Sequence, residues 1–443
     1  MHRPGFGTVS LVAGLLLAAA AALPAAEFDS QAGKELSELV ELYKNFHSHP
    51  ELSYFEKETS AKLAGLLRGY GYSVSWPVGR YADPTRVCYG VVAVLKNGEG
   101  PTVLVRGDMD ALPIEEKTGL AWASRVRMTD ISGEEVGVMH ACGHDVHTTV
   151  LLGAARLLAD LKGRWRGTLI IIGQTAEERG GGARALLADG LYTRWPPPDY
   201  AIAEHVDPTL EAGKIGYCPG WAMANVDMVD IAVRGIGSHG AQPQQGKDPI
   251  VLSAQIINAL QTLVSRSINP VEVGVVTVGS IHGGSKHNII PDEVKLQLTV
   301  RSFTEEVRST LLEGIKRIAV ETARAYGIPE DRLPVVDIGV EFTPSLYNDP
   351  SLVQRTVGAI GRELGSANLV QIPPTTGGED FSEYGRTEHK VPVFMLRLGT
   401  AQPGSDTEHC PGLHSALYHP DIEPSLRTGI RAMTAAAIEL LGK

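Results

Sequence analysis

The chain has 443 residues, enough for two or three domains and a large buried core. Hydrophobic residues at 43% and charged residues at 21% give the ordinary balance of a soluble globular protein. Set against 51 acidic side chains, 40 basic ones leave a formal charge of −11, which argues against nucleic acid or an anionic membrane surface as the main partner.

Taken in chain order, the first segment reads as a secretory signal over residues 1–26. His2 and Arg3 form a weakly basic start, Val9 to Ala22 is apolar and alanine-rich, and Leu23-Pro24-Ala25-Ala26 offers small residues near a cleavage point. A membrane anchor is the competing reading. The apolar run is short for a span of ~20 residues, and polar sequence follows directly. No cysteine lies near the cleavage point, and no other segment reads as transmembrane. The expected location is periplasmic or secreted, with no stable membrane association after signal removal. Of the four cysteines, Cys142 is expected to be held by metal. Cys88, Cys218 and Cys410 show no disulfide framework and read as buried thiols, with one bridge left open.

Between Glu27 and Trp221 the pattern alternates helix and strand. Ser60 to Tyr70 carries Leu63, Leu66, Leu67 and Tyr70 at helical spacing. Val91 to Leu95 and Thr102 to Arg106 are short apolar runs that predict strands, Val146 to Leu161 an apolar helix, and Thr168 to Gly173 and Tyr200 to Glu204 further strands. This alternation predicts an α/β sheet, largely parallel at its centre. From Ala222 the rhythm changes: strand Asp227–Val233, helix Pro249–Val264, strands Val273–Ile281 and Val294–Arg301, helix Glu305–Tyr326, strand Pro334–Glu341. That β-α-β-β-α-β order is ferredoxin-like. After Thr343 the first rhythm resumes with a helix at Leu352–Leu364, a strand at Val393–Leu398 and a helix at Ile422–Leu441. The predicted architecture is therefore two-domain α/β. A mixed-sheet α/β domain (27–221 and 344–443) that carries the chemistry is split by an inserted ferredoxin-like α+β domain (222–343).

The chemistry gathers at strand ends, where open α/β sheets build their sites. Met139-His140-Ala141-Cys142-Gly143-His144-Asp145 sets a thiol and an imidazole two residues apart. Glu177-Glu178, Glu204-His205 and His414 follow later in the chain. Thiolate, imidazole and carboxylate together suit divalent transition metals, and the Glu-Glu pair adds a candidate base beside a candidate ligand. Asp108 and Asp110, two apart, face one side of an extended segment, and Asp110 is the candidate to orient a ligating histidine. His205 and His414 are candidate terminal ligands. His239, in the inserted domain, is a candidate oxyanion stabiliser, and Asn288 and Arg301 are polar candidates beside it. The glycine-rich stretches, Gly377-Gly378 among them, lack the strand–turn–helix setting and lysine of a nucleotide loop. No Gly-x-Ser-x-Gly elbow is present, which argues against a serine hydrolase.

Four motifs carry a resemblance. They are Arg106-Gly107-Asp108-Met109-Asp110-Ala111-Leu112-Pro113, His140-Ala141-Cys142-Gly143-His144-Asp145, Gln174-Thr175-Ala176-Glu177-Glu178 and Gly377-Gly378-Glu379-Asp380-Phe381. With Phe46-His47-Ser48-His49-Pro50-Glu51-Leu52-Ser53 they make the mature chain resemble the zinc- or manganese-dependent aminoacylase and carboxypeptidase family. The similar subgroup holds hippurate hydrolase, N-acyl-amino-acid amidohydrolases and plant indole-acetyl-amino-acid hydrolases. The resemblance implies five ligands, Cys142, His144, Glu178, His205 and His414, for two divalent ions, Zn or Mn. It places Cys142 at the bridging position and Glu177 at the catalytic base. It gives His239 the role of a lid histidine that reaches a site across a dimer. Asn288 and Arg301 match substrate-holding residues, and Gly378 is the third substrate-binding candidate. The expected activity is hydrolysis of the amide of an N-acyl or aminoacyl amino acid by metal-activated water, in a homodimer or higher homo-oligomer. Two other readings compete: a metal-free amidase with Cys142 as nucleophile, and a catalytically silent periplasmic binding protein.

Overall fold

The computed structural model describes residues 25–339, 342–407 and 409–442, with side chains from Leu36 onward. Apart from its last two positions, the expected signal segment lies outside the described residues. No described helix is long and apolar enough to cross a membrane.

In chain order the larger part begins with α1 (Ala25–Ser48), α2 (Lys57–Gly69), β1 (Ser73–Val78), β2 (Gly90–Asn97) and β3 (Thr102–Asp108). It continues with α3 (His144–Asp160), β4 (Gly167–Gln174), α4 (Gly182–Ala188), β5 (Tyr200–Glu211) and β6 (Ile215–Tyr217). A second unit follows: β7 (Asn225–Arg234), α5 (Pro249–Thr262), β8 (Gly274–Gly283), β9 (Glu293–Ser302), α6 (Glu305–Tyr326) and β10 (Val335–Ile338). The chain then returns with α7 (Pro350–Leu364), β11 (Leu369–Gln371), β12 (Val393–Ala401) and α8 (Ile422–Leu441).

The main sheet has eight strands in the order β1-β2-β4-β3-β5-β12-β6-β11. Its centre, β4-β3-β5-β12, is parallel, and antiparallel pairs flank it on both sides. Both faces are covered, as a parallel centre requires. Side-chain alternation divides the strands between two cores. Val103, Val105, Ile171 and Ile202 face the helices α1, α2, α3, α7 and α8. Leu104, Ile170, Ile172, Ala201 and Ala203 face the opposite core with Phe381 and Tyr384.

The second unit is a four-stranded sheet in the order β8-β9-β7-β10, antiparallel throughout. Val229, Ile231 and Val233 alternate with exposed or half-buried neighbours and pack, with Leu296 and Leu298, on α5 and α6. Both helices begin on caps that satisfy orphan N–H groups. Asp248 accepts from Ile250, just after Pro249 at the first helical position, and Thr304 accepts from Val307. The β-α-β-β-α-β order expected from the sequence is the order observed. The chain enters and leaves this unit side by side, because Gly220–Met223 pairs antiparallel with Leu346–Asn348.

Some boundaries differ from expectation. α3 begins at His144 rather than Val146, so His144 opens the helix. β5 runs on to Glu211, which puts Glu204 and His205 inside a strand rather than at its end. α5 stops at Thr262 and gives way to a π-helical turn over Leu263–Ser267. The last predicted strand, Pro334–Glu341, is observed as Val335–Ile338, and residues 340–341 lie outside the described residues. α1, β1, β6 and β11 were not anticipated.

Candidate metal centre

One face of the main sheet changes character at its carboxyl edge. On β3, Leu104 gives way to Arg106 and then Asp108; on β4, Ile170 and Ile172 give way to Gln174; on β5, Ala201 and Ala203 give way to His205. Because side chains repeat every second residue, this places the polar groups of adjacent strands together above the apolar core. Arg106 is fully buried there. It donates to Asp108 at 2.6 Å, Glu379 at 2.8 Å, Asp380 at 3.1 Å and Gln174 at 3.0 Å. Glu177, Glu379 and Asp380 also lie close enough to hold an ion, but the guanidinium already serves the last two as counter-charge.

The turn before α3 supplies the thiol and the first imidazole. Gly143 takes φ +75°, which turns the backbone so that Cys142 and His144 face the same space. A Cβ there would sit 2.6 Å from Val206 Cγ2. His144 Nδ1 lies 3.3 Å from Asp110 Oδ1, and Nε2 faces Asp108 Oδ2 at 3.6 Å, Glu178 Oε1 at 3.8 Å and Glu177 Oε2 at 3.9 Å. Neither ring nitrogen makes a hydrogen bond. Cys142 Sγ lies 3.6 Å from His205 Nε2, while His205 Nδ1 is 2.8 Å from the Val206 carbonyl. The proton therefore belongs on Nδ1, which leaves Nε2 with a free lone pair, the tautomer a ligand needs.

Glu177 and Glu178 occupy a single 3₁₀ turn after β4. Ala176 enters it at φ +49°, an unusual conformation for a residue with a Cβ. Two buried carboxylates hold the turn. Glu56 accepts from the Ala176 N–H at 2.7 Å, and Asp110 accepts from Glu177 at 3.1 Å and Glu178 at 3.0 Å while taking a 2.6 Å bond from Ser53. Asp110 thus touches both the histidine and the glutamate turn. His414, another residue at positive φ (+63°), reaches Glu178 Oε1 at 3.6 Å and is tied by its N–H to the Ala141 carbonyl.

The five expected ligands therefore meet. Cys142, His144 and His205 form one group whose donor atoms lie within 4.8 Å of one another, and Cys142, Glu178 and His414 form a second. Cys142 belongs to both. The electrostatics call for cations. Burial, together with the neighbouring Glu379 and Glu178, pushes Glu177 well above the usual carboxylate range. Burial and Asp110 push Glu178 up to about 7. Burial would lower His144, but Asp108 and Asp110 outweigh it and hold the ring near 10. Burial pushes the Cys142 thiol up, and Glu178 and Glu177 add to the rise. Donors left unpaired in a ring of buried carboxylates fit divalent metal, whose charge would reverse these shifts.

A cavity of about 890 Å³ opens on the cluster, lined by Cys142, Glu177, Glu178, His205 and His414 and, from farther out, by Arg301, Gly378 and Arg397. Arg301 donates to Thr299 at 3.0 Å, and Arg397 lies 3.0 Å from the Met223 sulfur. His239 and Asn288 do not line this cavity within the chain. They lie together on the exposed Ser238–His239/Ile289–Ile290 ribbon of the second unit, with the Gly240 N–H bonded to the Asn288 carbonyl at 2.9 Å. Glu56, Ser53 and Arg397 were missed. The first two stand in the Pro50-Glu51-Leu52-Ser53 stretch already noted or just after it, whereas Arg397 sits in an apolar strand that carries no motif.

The peptidase family M20/M25/M40 model matches residues 104–439, most of the chain and nearly all of the site. The chain belongs to that family. It is 36% identical over 367 residues to N-acetyl-L-cysteine deacetylase of Bacillus subtilis, covering 82% of this chain and 80% of the relative. It is 34% identical to thermostable carboxypeptidase 1 of Saccharolobus solfataricus, covering 91% and 96%. Among solved structures it superposes on the Bacillus subtilis YXEP protein, described as a dinuclear metal-binding peptidase of the M20 family, with a TM-score of 0.73 and 30% identity over 92% and 99% of the two chains. This M20-family chain is a metal-dependent hydrolase of amide bonds, with donor groups for two ions. The resemblance read from its motifs is thereby borne out.

Proposed function

We propose that the chain hydrolyses N-acyl or aminoacyl amino acids and that Cys142, His144, Glu178, His205 and His414 hold two zinc or manganese ions, Cys142 serving both. The observation that carries this reading is the pair of donor groups sharing one thiol. Bound ions lower the pKa of water towards ~7 and polarise a carbonyl. The chain's own residues do the rest. Glu177, 3.9 Å from His144 Nε2 at the cavity wall, takes the proton of the attacking water and returns it to the leaving amine. Asp110 fixes the orientation of His144 and of the Glu177–Glu178 turn together. Arg301, Arg397 and the Gly378 backbone, all lining the cavity, receive the free carboxylate.

His239 and Asn288, exposed on the second unit, reach the cluster of a second copy, where His239 stabilises the oxyanion. In this reading residues 222–343 act as lid and dimerisation unit. The signal segment directs the protein to the periplasm or outside the cell.

The cysteine-nucleophile reading fares worse physically. A buried thiol raised by carboxylates is a poor thiolate unless cations lower it. The test is turnover of N-acyl amino acids by chelator-stripped protein before and after Zn or Mn is returned. Activity only on reloading is expected. Full activity in the stripped protein would favour the cysteine.

A further inference from the structure

Two guanidiniums line the large cavity from different frames. Arg301 stands on β9 of the second unit and Arg397 on β12 of the main sheet. Arg397 is in parallel register with His205 on β5, so both side chains leave the sheet on the same face, from strands about 4.8 Å apart. Arg397 is half-buried, and its place is built. Gly216, opposite it on β6, leaves the room, since a Cβ there would lie 3.1 Å from the Arg397 Cβ.

The acids beside these two cations are engaged elsewhere. Asp227, whose charge reaches Arg301, accepts from Arg308 at 2.6 and 2.9 Å and from Asn225 at 2.8 Å. Asp207, two residues beyond His205 on the same face of β5, accepts the Thr209 N–H at 2.9 Å and the Thr209 hydroxyl at 2.6 Å. Arg301 rests on the Thr299 hydroxyl, and Arg397 on the Met223 sulfur, a weak acceptor. By contrast, Arg184 in the same wall meets Glu383 at 2.7 Å. A half-buried guanidinium set against a thioether keeps most of its about five N–H donors for a group that enters the cavity. One bidentate guanidinium satisfies a single carboxylate in both geometry and charge. Arg301 and Arg397 together therefore exceed what the one carboxylate common to all N-acyl amino acids requires.

We propose that the substrate carries a second carboxylate and that Arg397 selects for it, while Arg301 holds the common one. The proposal rests on amide hydrolysis at the five-ligand cluster and narrows the substrate class to dianions. The second acid stands either on the amino-acid side chain or at the end of a dicarboxylic acyl group, and the fork of Arg397 recognises both by the same chemistry.

The experiment measures kcat and KM on two matched pairs, with Zn and with Mn. One pair is N-acetylglutamate and N-acetylglutamine; the other is N-succinylalanine and its succinamoyl counterpart. The proteins are the wild type, Arg397→Met, Arg397→Gln and Arg301→Met, each with its metal content determined. In at least one pair the wild type should favour the acid over the amide at least about 10-fold in kcat/KM, and that pair identifies which half of the substrate bears the second carboxylate. Arg397→Met and Arg397→Gln should reduce this ratio about 10-fold, chiefly through KM, with metal retained. Arg301→Met should weaken acid and amide alike and keep the ratio. Equal turnover of acid and amide in both pairs, or an unchanged ratio in both Arg397 variants, overturns the second carboxylate and leaves the amide-hydrolase reading standing. Failure to cleave any of the four compounds with either ion overturns both.

Discussion

Glu177 and Glu178 are chemically identical neighbours, and geometry alone separates their roles. Glu178 Oε1 lies within reach of both His144 and His414 and has no hydrogen bond, whereas Glu177 sits beside His144 with its carboxylate at the cavity wall. Glu177→Gln should therefore keep both ions and lose about 10²–10⁴-fold in kcat, read by elemental analysis alongside turnover. Undiminished kcat would remove Glu177 as the base. Gly143 tests the same site through the backbone. A Cβ at φ +75° is strained by about 1–2 kcal/mol and would strike Val206. Gly143→Ala should lower both the thermal midpoint and the metal occupancy; wild-type occupancy would show that the turn does not aim Cys142 and His144. At this scale the ligands were legible because thiol, imidazole and carboxylate together point to metal whatever the fold. Arg397 was not legible, since one charge in an apolar strand reads the same whether it faces solvent or a cavity.

At the level of elements, the site is held by contacts between helices and strands far apart in sequence. His47, at the end of α1, meets Asp145 at 2.7 Å and Glu116 at 3.1 Å, all three side chains essentially buried. Asp145 is the second residue of α3, so this contact clamps the helix that begins with His144. Burial would depress His47, but its bonds to Asp145 and Glu116 hold it near 10. The folded value is above the ordinary 6.5, so the stabilisation is complete below pH 6.5 and lost as pH rises through about 10. Urea denaturation from pH 6 to 10 should show an alkaline decline that His47→Ala flattens, at a cost of about 3–5 kcal/mol near pH 6. A variant with wild-type stability at pH 6 would show that the clamp contributes nothing.

Long periodic or β-branched runs such as α6, α8 and β3 were readable because hydrophobic period and burial coincide there. The edge strands β1 and β11 and the three-residue β6 between β12 and β11 were not, because they are short or lie at the rim of the sheet and carry too few buried positions to show alternation. β5 was read as too short for another reason. Glu204 and His205 look like a polar break, yet both are buried within the strand.

For the whole molecule, the two sheets divide the labour. The main sheet gathers the five candidate ligands, while the second unit carries His239 and Asn288 on an exposed ribbon away from them. The sequence named all of these residues, and it was the resemblance, not their spacing, that set His239 apart as reaching across a dimer. If a second copy completes the site, mixing Glu177→Gln with His239→Ala protein should restore about a quarter of wild-type activity, since half the dimers are hybrids with one intact site each. Activity no greater than the sum of the two variants would place His239 outside catalysis.

The most direct measurement is anomalous scattering from crystals of the zinc-loaded protein. Two peaks per chain are expected among Cys142, His144, Glu178, His205 and His414, with the Cys142 sulfur bonded to both. A single peak, or peaks bound by other residues, would contradict a two-ion centre built on a shared thiolate.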